Sequence, residues 1–148
     1  MLDIQPRVLV VDADAATLTS VASVAEEEGF DVRTAVDADG AIRQCRSEYI
    51  DLVMIDAGLD STAGAGVLNS IRILKPSVRA VLMDGASGSH APRSGQGEAL
   101  ERVEKPIGLD RLHRLFARLR TEAWHVPGMF YDSSPSNGVT AAGMQPQR

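Results

Sequence analysis

Asp51-Leu52-Val53-Met54-Ile55-Asp56 runs four apolar residues without a break into a carboxylate, and Ala57-Gly58-Leu59 then carries the chain into a turn. A continuous apolar run of this length belongs to a strand buried on both faces, as in the middle of a parallel sheet. Aspartate is disfavoured in strands and seldom buried without a partner, so Asp56 marks the strand's carboxyl end. In open α/β sheets that edge is where ligands bind.

The same pattern recurs on either side. Residues 7–12 form a second apolar run ending in Asp12, and residues 80–84 another ending in Asp84. Residues 30–36 alternate loosely, predicting a short strand, and residues 100–104 predict a weaker fifth one before Lys105-Pro106. Between the strands lie helical spacings. Leu18, Val21, Ala22 and Ala25 share one face within residues 14–28, with Gly29 placed to end the helix. Asp37 or Asp39 is suited to cap a helix carrying Ala41, Ile42 and Cys45 inward. Residues 57–63 read as a loop, and Val67, Leu68, Ile71 and Leu74 mark a helix stopped before Pro76. Residues 87–97 hold Gly, Ser and Pro92, so any helix there is short or frayed. Leu109, Leu112, Leu115, Phe116 and Leu119 give the clearest helical stripe, with Arg111, Arg114 and Arg118 on another face. Strands alternating with helices predict an α/β, doubly wound parallel sheet covered on both sides.

Length and charge set the limits. At 148 residues the chain suits one domain, here residues 1–123, followed by a low-complexity and disordered tail over 124–148 with Phe130 and Tyr131 near its start. No apolar run approaches a bilayer span and no basic-then-apolar leader opens the sequence, which predicts a cytoplasmic protein without membrane attachment. The single cysteine, Cys45, excludes an internal disulfide and lies on an apolar stripe, a core position. Residues 1–69 carry 13 acidic and 4 basic side chains, and residues 70–148 carry 7 and 11, so a net −9 faces a net +4. Overall acidity opposes nucleic-acid binding. His90, His113 and His125 are scattered, and no nucleophile elbow or glycine-rich phosphate fingerprint appears. An enzyme with an external substrate is not expected.

Parallel strands that end together bring Asp12, Asp56 and Asp84 to one edge, with Lys105 in reach after the fifth strand. Clustered carboxylates repel unless a cation sits among them, and Mg²⁺ suits such oxygens. Taken singly, each aspartate also suits a capping role in the turn or helix that follows it.

With Val10-Val11-Asp12, Asp56, Gly64 eight residues later and Lys105-Pro106 in this order, the sequence resembles the receiver domain of two-component response regulators over about residues 7–120. The resemblance implies a flavodoxin-like sheet of strand order 2-1-3-4-5. It implies that Asp56 accepts a phosphoryl group from the phosphohistidine of a sensor kinase or phosphotransfer protein. Lys105 would then contact the phosphoryl oxygens, and Mg²⁺ would bind Asp12, Asp56 and the Gly58 backbone carbonyl. Departures come with it. Ala13 stands where a metal-touching acid is usual, Gly85 where a hydroxyl residue ends the fourth strand, Arg102 where a switch aromatic sits, and Asp60 where proline is common. A weakened metal site follows, for which Asp84 is a substitute carboxylate. Three functions stay open, the last of them, a flavodoxin-like small-molecule binder at the acidic edge, with only the fold in its favour; the other two rank ahead of it. One is a stand-alone phosphoacceptor without an effector domain; the other is a pseudo-receiver that binds proteins independently of phosphorylation. A downstream partner or a second copy is expected at the last helix, through Arg111, Arg114 and Arg118.

Overall fold

Four β-branched or leucine residues in five, as in Arg7–Val11, leave little choice but a strand, and two such runs side by side make a sheet that needs cover on both faces. The computed structural model describes residues 5–62, 66–85 and 101–124. Among them the strands are β1 (Arg7–Val11), β2 (Asp31–Ala35), β3 (Leu52–Asp56), β4 (Arg79–Asp84) and β5 (Glu101–Glu104). They pair in parallel in the order β2-β1-β3-β4-β5, the doubly wound arrangement that the sequence predicts.

Side chains alternate across this sheet and sort into two cores. Val8 and Val10 of β1, with Leu52, Met54, Val81 and Met83, meet α1 (Ala15–Glu27) and α5 (Leu109–Trp124) through Val21, Val24, Ala25, Leu112, Leu115, Phe116 and Leu119. Leu9 and Val11, with Val53, Ile55 and Leu82, meet α2 (Ala38–Ser47) and α4 (Val67–Leu74) through Ala41, Cys45, Val67 and Ile71. On the first face Phe30 and Phe116 stack edge to face, 5.3 Å between ring centres at 64°. Such a pair stabilises by about 1 kcal/mol beyond the area it buries.

Helix ends follow local chemistry. Asp14 caps α1 by accepting from the Thr17 N–H, and Asp37, rather than Asp39, caps α2 by accepting from Gly40 N–H. The α1 carboxyl end closes with Gly29 N–H on Glu26 O and Phe30 N–H on Ala25 O, at 3.1 and 3.0 Å. Gly29 has φ +96° there, a conformation that favours glycine, and an added Cβ would also push the Arg120 side chain aside from 2.7 Å.

One element differs from expectation. Residues 57–62 form a short helix, α3 (Ala57–Thr62), where a loop is predicted. Gly58, Asp60, Ser61 and Thr62 are weak helix formers. The helix is held at its start by Asp56, whose Oδ2 accepts from Leu59 N–H at 3.0 Å. Asp60 then accepts from Leu68 N–H at 2.7 Å, supplying α4 with the side-chain cap that Gly66 cannot. α5 reaches Trp124, one residue past the predicted boundary. The readings at Gly64, at Ser87 to Gly97 with His90 and Pro92, at Leu100, and along the tail from His125 with Phe130 and Tyr131 lie outside the described residues.

Candidate functional site

Register places the acidic edge. Val11 of β1 pairs with Ile55 of β3, so Asp12 and Asp56 are the next residues of neighbouring strands. Asp12 N–H donates to Ala35 O at 3.1 Å, keeping β1 straight to its end. On the other side, Lys105 N–H donates to Asp84 O at 2.8 Å, which extends β5 far enough to bring the lysine back over β3. The peptide joining Lys105 to Pro106 is cis.

The lysine ammonium sits between two carboxylates. Lys105 Nζ lies 2.6 Å from Asp12 Oδ2 and 2.7 Å from Asp56 Oδ1. The three side chains differ in exposure: 3% for Asp12, 17% for Lys105 and 21% for Asp56. Asp56 is thus the carboxylate within reach of a reagent from solvent. Burial alone would lower the Lys105 pKa; hydrogen bonds and charge from Asp12 and Asp56 outweigh it and hold the ammonium above the ordinary lysine value. Asp12 turns its other oxygen to Asp14 N–H at 2.8 Å. Asp14 itself is engaged with Thr17, whose hydroxyl and N–H both donate to Oδ2 and hold its pKa below the ordinary aspartate value.

Asp84 does not join this group, contrary to the expectation of a common pocket. Arg102 Nε donates to Asp84 Oδ2 at 3.0 Å and an Arg102 terminal nitrogen to Oδ1 at 2.8 Å, a two-pronged pair that takes both oxygens. The cause is register: Leu82 pairs with Arg102 and Asp84 with Glu104, so the guanidinium reaches along the same sheet face to the strand end. The substitute-ligand role drawn for Asp84 therefore fails on geometry. Sequence reading missed the pair, although a cation two residues before a strand end facing an acid on the next strand is a signal for it.

With Lys105 Nζ standing between Asp12 and Asp56, the donor set does not fit a divalent cation of the Mg²⁺ kind, which takes one or two carboxylates and several waters in near-octahedral array. Asp12 Oδ1 and Asp56 Oδ2 accept main-chain N–H groups and Asp56 Oδ1 accepts from Lys105, whereas the buried Asp12 Oδ2 makes no hydrogen bond and meets Lys105 Nζ as an ion pair at 2.6 Å. Ala13 offers a methyl group. Gly58 lies in the first turn of α3, and helical carbonyls point away from the amino end where Asp56 stands, so the Gly58 carbonyl expected as a ligand faces the wrong way. Among the described residues no three His, Cys, Asp or Glu side chains converge on a metal position. At Gly85 an added Cβ meets nothing within 4 Å among the described residues, so space does not bar the missing hydroxyl.

The histidine and arginine positions are ordinary surface contacts by comparison. His113 joins α5 to α1 through Glu28 at 2.8 Å and Glu27 at 3.4 Å. Arg118 pairs with Glu101 at 2.7 Å and Glu122 at 3.5 Å, whereas Arg111 and Arg114 are exposed.

Comparison with known proteins gives the family and the fold. A model of the response regulator receiver domain matches residues 8–117. The nitrogen assimilation regulatory protein NtrX of Azorhizobium caulinodans is 32% identical over 108 residues, covering 71% of this chain and 24% of its own length. The cell cycle transcriptional regulator CtrA of Caulobacter vibrioides is 26% identical over 125 residues, covering 81% of this chain and 54% of its own. Among solved structures, NtrX from Brucella abortus in complex with ADP superposes with TM-score 0.70 at 29% identity, over 82% of this chain and 27% of that one. A CheY-like receiver domain protein from Methanospirillum hungatei superposes with TM-score 0.67 at 22% identity, over 82% of this chain and 98% of that one, and supports the fold. The chain spans about a quarter of the length of the first curated relatives that it matches.

Proposed function

Because the chain belongs to the response regulator receiver domain family of two-component signalling, we propose that it accepts a phosphoryl group on Asp56. Receiver domains interact with histidine kinases or phosphotransfer proteins, and a phosphohistidine on such a partner is the donor in this reading. The observation that carries it is Asp56 itself: a strand-end carboxylate 21% exposed, with Lys105 Nζ 2.7 Å away. One carboxylate oxygen attacks phosphorus, the N–P bond breaks, and the imidazole nitrogen keeps the bonding pair and takes a proton from water. Lys105 follows the charge from the carboxylate onto the incoming phosphoryl oxygens, which is positioning and electrostatic work rather than covalent chemistry. Receiver domains typically bind Mg²⁺ at their acidic pocket. The protein is then a signalling partner, cytoplasmic like the kinase modules that would address it, and not an enzyme with an external substrate. The exposed Arg111 and Arg114 on α5 make that helix our choice for contact with a downstream partner or a second copy.

A second reading has an observation of its own. Arg102 locked onto Asp84 ties β5 to β4 at the point where a phosphorylation signal would leave the site, which favours a pseudo-receiver whose binding surface is constant. Treatment with acetyl phosphate followed by intact-mass measurement tests the two. One added phosphoryl group that vanishes in Asp56→Asn supports acceptance. No adduct, with partner binding unchanged in Asp56→Ala, supports the pseudo-receiver.

A further inference from the structure

We propose that Lys105 is the acidic edge's own counter-ion, so that this site works without a divalent cation. Two carboxylates on adjacent strand ends need positive charge between them, because like charges this close oppose joint ionisation. The ammonium supplies it from 2.6 and 2.7 Å, nearly equidistant, with Asp12 almost sealed from water. The other two oxygens, Asp12 Oδ1 and Asp56 Oδ2, each accept one main-chain N–H, from Asp14 and Leu59. The neighbouring positions add little to a metal shell. The Ala13 side chain has no oxygen, the Gly58 carbonyl is turned along α3, and Asp84 is held by both prongs of Arg102. A cation arriving here would have to displace Lys105 from between the two carboxylates.

Neutralisation by lysine or by metal gives different responses to Mg²⁺, because a ligand that binds only the folded state raises its thermal midpoint. Thermal midpoints against Mg²⁺ concentration, with Mn²⁺ uptake followed by electron paramagnetic resonance, read this directly in the full chain. Wild type and Lys105→Arg, which keep the charge, are expected to show flat midpoints and no Mn²⁺ uptake. Lys105→Ala is expected to melt lower, to recover as Mg²⁺ is added, and to take up Mn²⁺ where the wild type takes up none. A wild-type midpoint that climbs with Mg²⁺ and stops doing so in Asp12→Asn overturns the proposal, as does a Lys105→Ala protein that no Mg²⁺ concentration restores. Acetyl phosphate separates this inference from phosphoryl acceptance. An adduct in EDTA supports both. An adduct only with Mg²⁺ overturns the inference and leaves acceptance standing. The absence of any adduct counts against acceptance and leaves the midpoints to decide the counter-ion.

Discussion

The backbone N–H of Arg7 donates to Asp51 Oδ2 at 2.8 Å while its guanidinium holds Asp31 Oδ2 at 2.7 Å, and these two carboxylates respond to pH in opposite senses. For Asp31, burial pushes the pKa up, but hydrogen bonds from Arg7 and Arg33 and their charges outweigh it, and the folded-state value lies below 3.8. Its contribution to stability is present above that ordinary value and lost as pH falls through the folded one. For Asp51, burial dominates over the bonds from Arg7 N–H and Tyr49 and raises the pKa above 3.8. That contribution is full below the ordinary value and lost as pH rises through the folded one. Asp31→Asn should therefore flatten the acid limb of a stability profile measured by urea midpoints from neutral pH down to about pH 3. Asp51→Asn should steepen it. With the Asp31 side chain 30% exposed, the first effect should be about 1 kcal/mol at neutral pH once solvent screening is allowed for. A steeper acid limb in Asp31→Asn would contradict the assignment.

Between strands, the Arg102–Asp84 pair is the contact with most to test, since β5 is a short edge strand of four residues. The side chains are 29% and 15% exposed, between a surface pair and a buried one. Removing either partner should cost about 1–3 kcal/mol, and an alanine double-mutant cycle in chemical denaturation should give a coupling of about 1 kcal/mol, separated from whatever else each side chain touches. A coupling near zero would make the fork incidental. Strand ends at Asp12, Asp56 and Asp84 were legible because an apolar run that stops at an aspartate has one economical explanation. The approach of Asp12, Asp56 and Lys105 was legible from parallel order alone. The diversion of Asp84 was not, because it depends on the β4–β5 register, and a slip of one residue would turn Arg102 to the opposite face. Helix α3 was illegible for a related reason. Its sequence is poor in helix formers, and its stability comes from a cap supplied by Asp56, the residue otherwise reserved for chemistry.

Across the whole molecule, two cores share one sheet, and this couples regions that never touch. Phe116 and Cys45 are both wholly buried but lie on opposite faces, one under α5 and the other under α2. Every central strand contributes alternate residues to both, as Val10 and Val11 do on β1, so neither face can lose its packing without disturbing the strands that the other needs. Single domains of this size generally unfold as one unit. Cys45 is a native reporter of that unit: burial pushes its thiol pKa up, with Lys75 working weakly the other way, so a thiol reagent reaches a reactive group only after opening. Phe116→Ala should remove about 3–5 kcal/mol through lost contacts and the cavity left behind. If the sheet transmits that loss, the free energy of opening measured by Cys45 labelling should fall by the same amount as the stability measured by circular dichroism. A fall in circular-dichroism stability with Cys45 labelling unchanged would show instead that the α2–α4 layer holds independently of α1 and α5. In that case the acidic edge, whose Asp12 and Asp56 extend strands common to both layers, would keep its geometry in a partly opened protein.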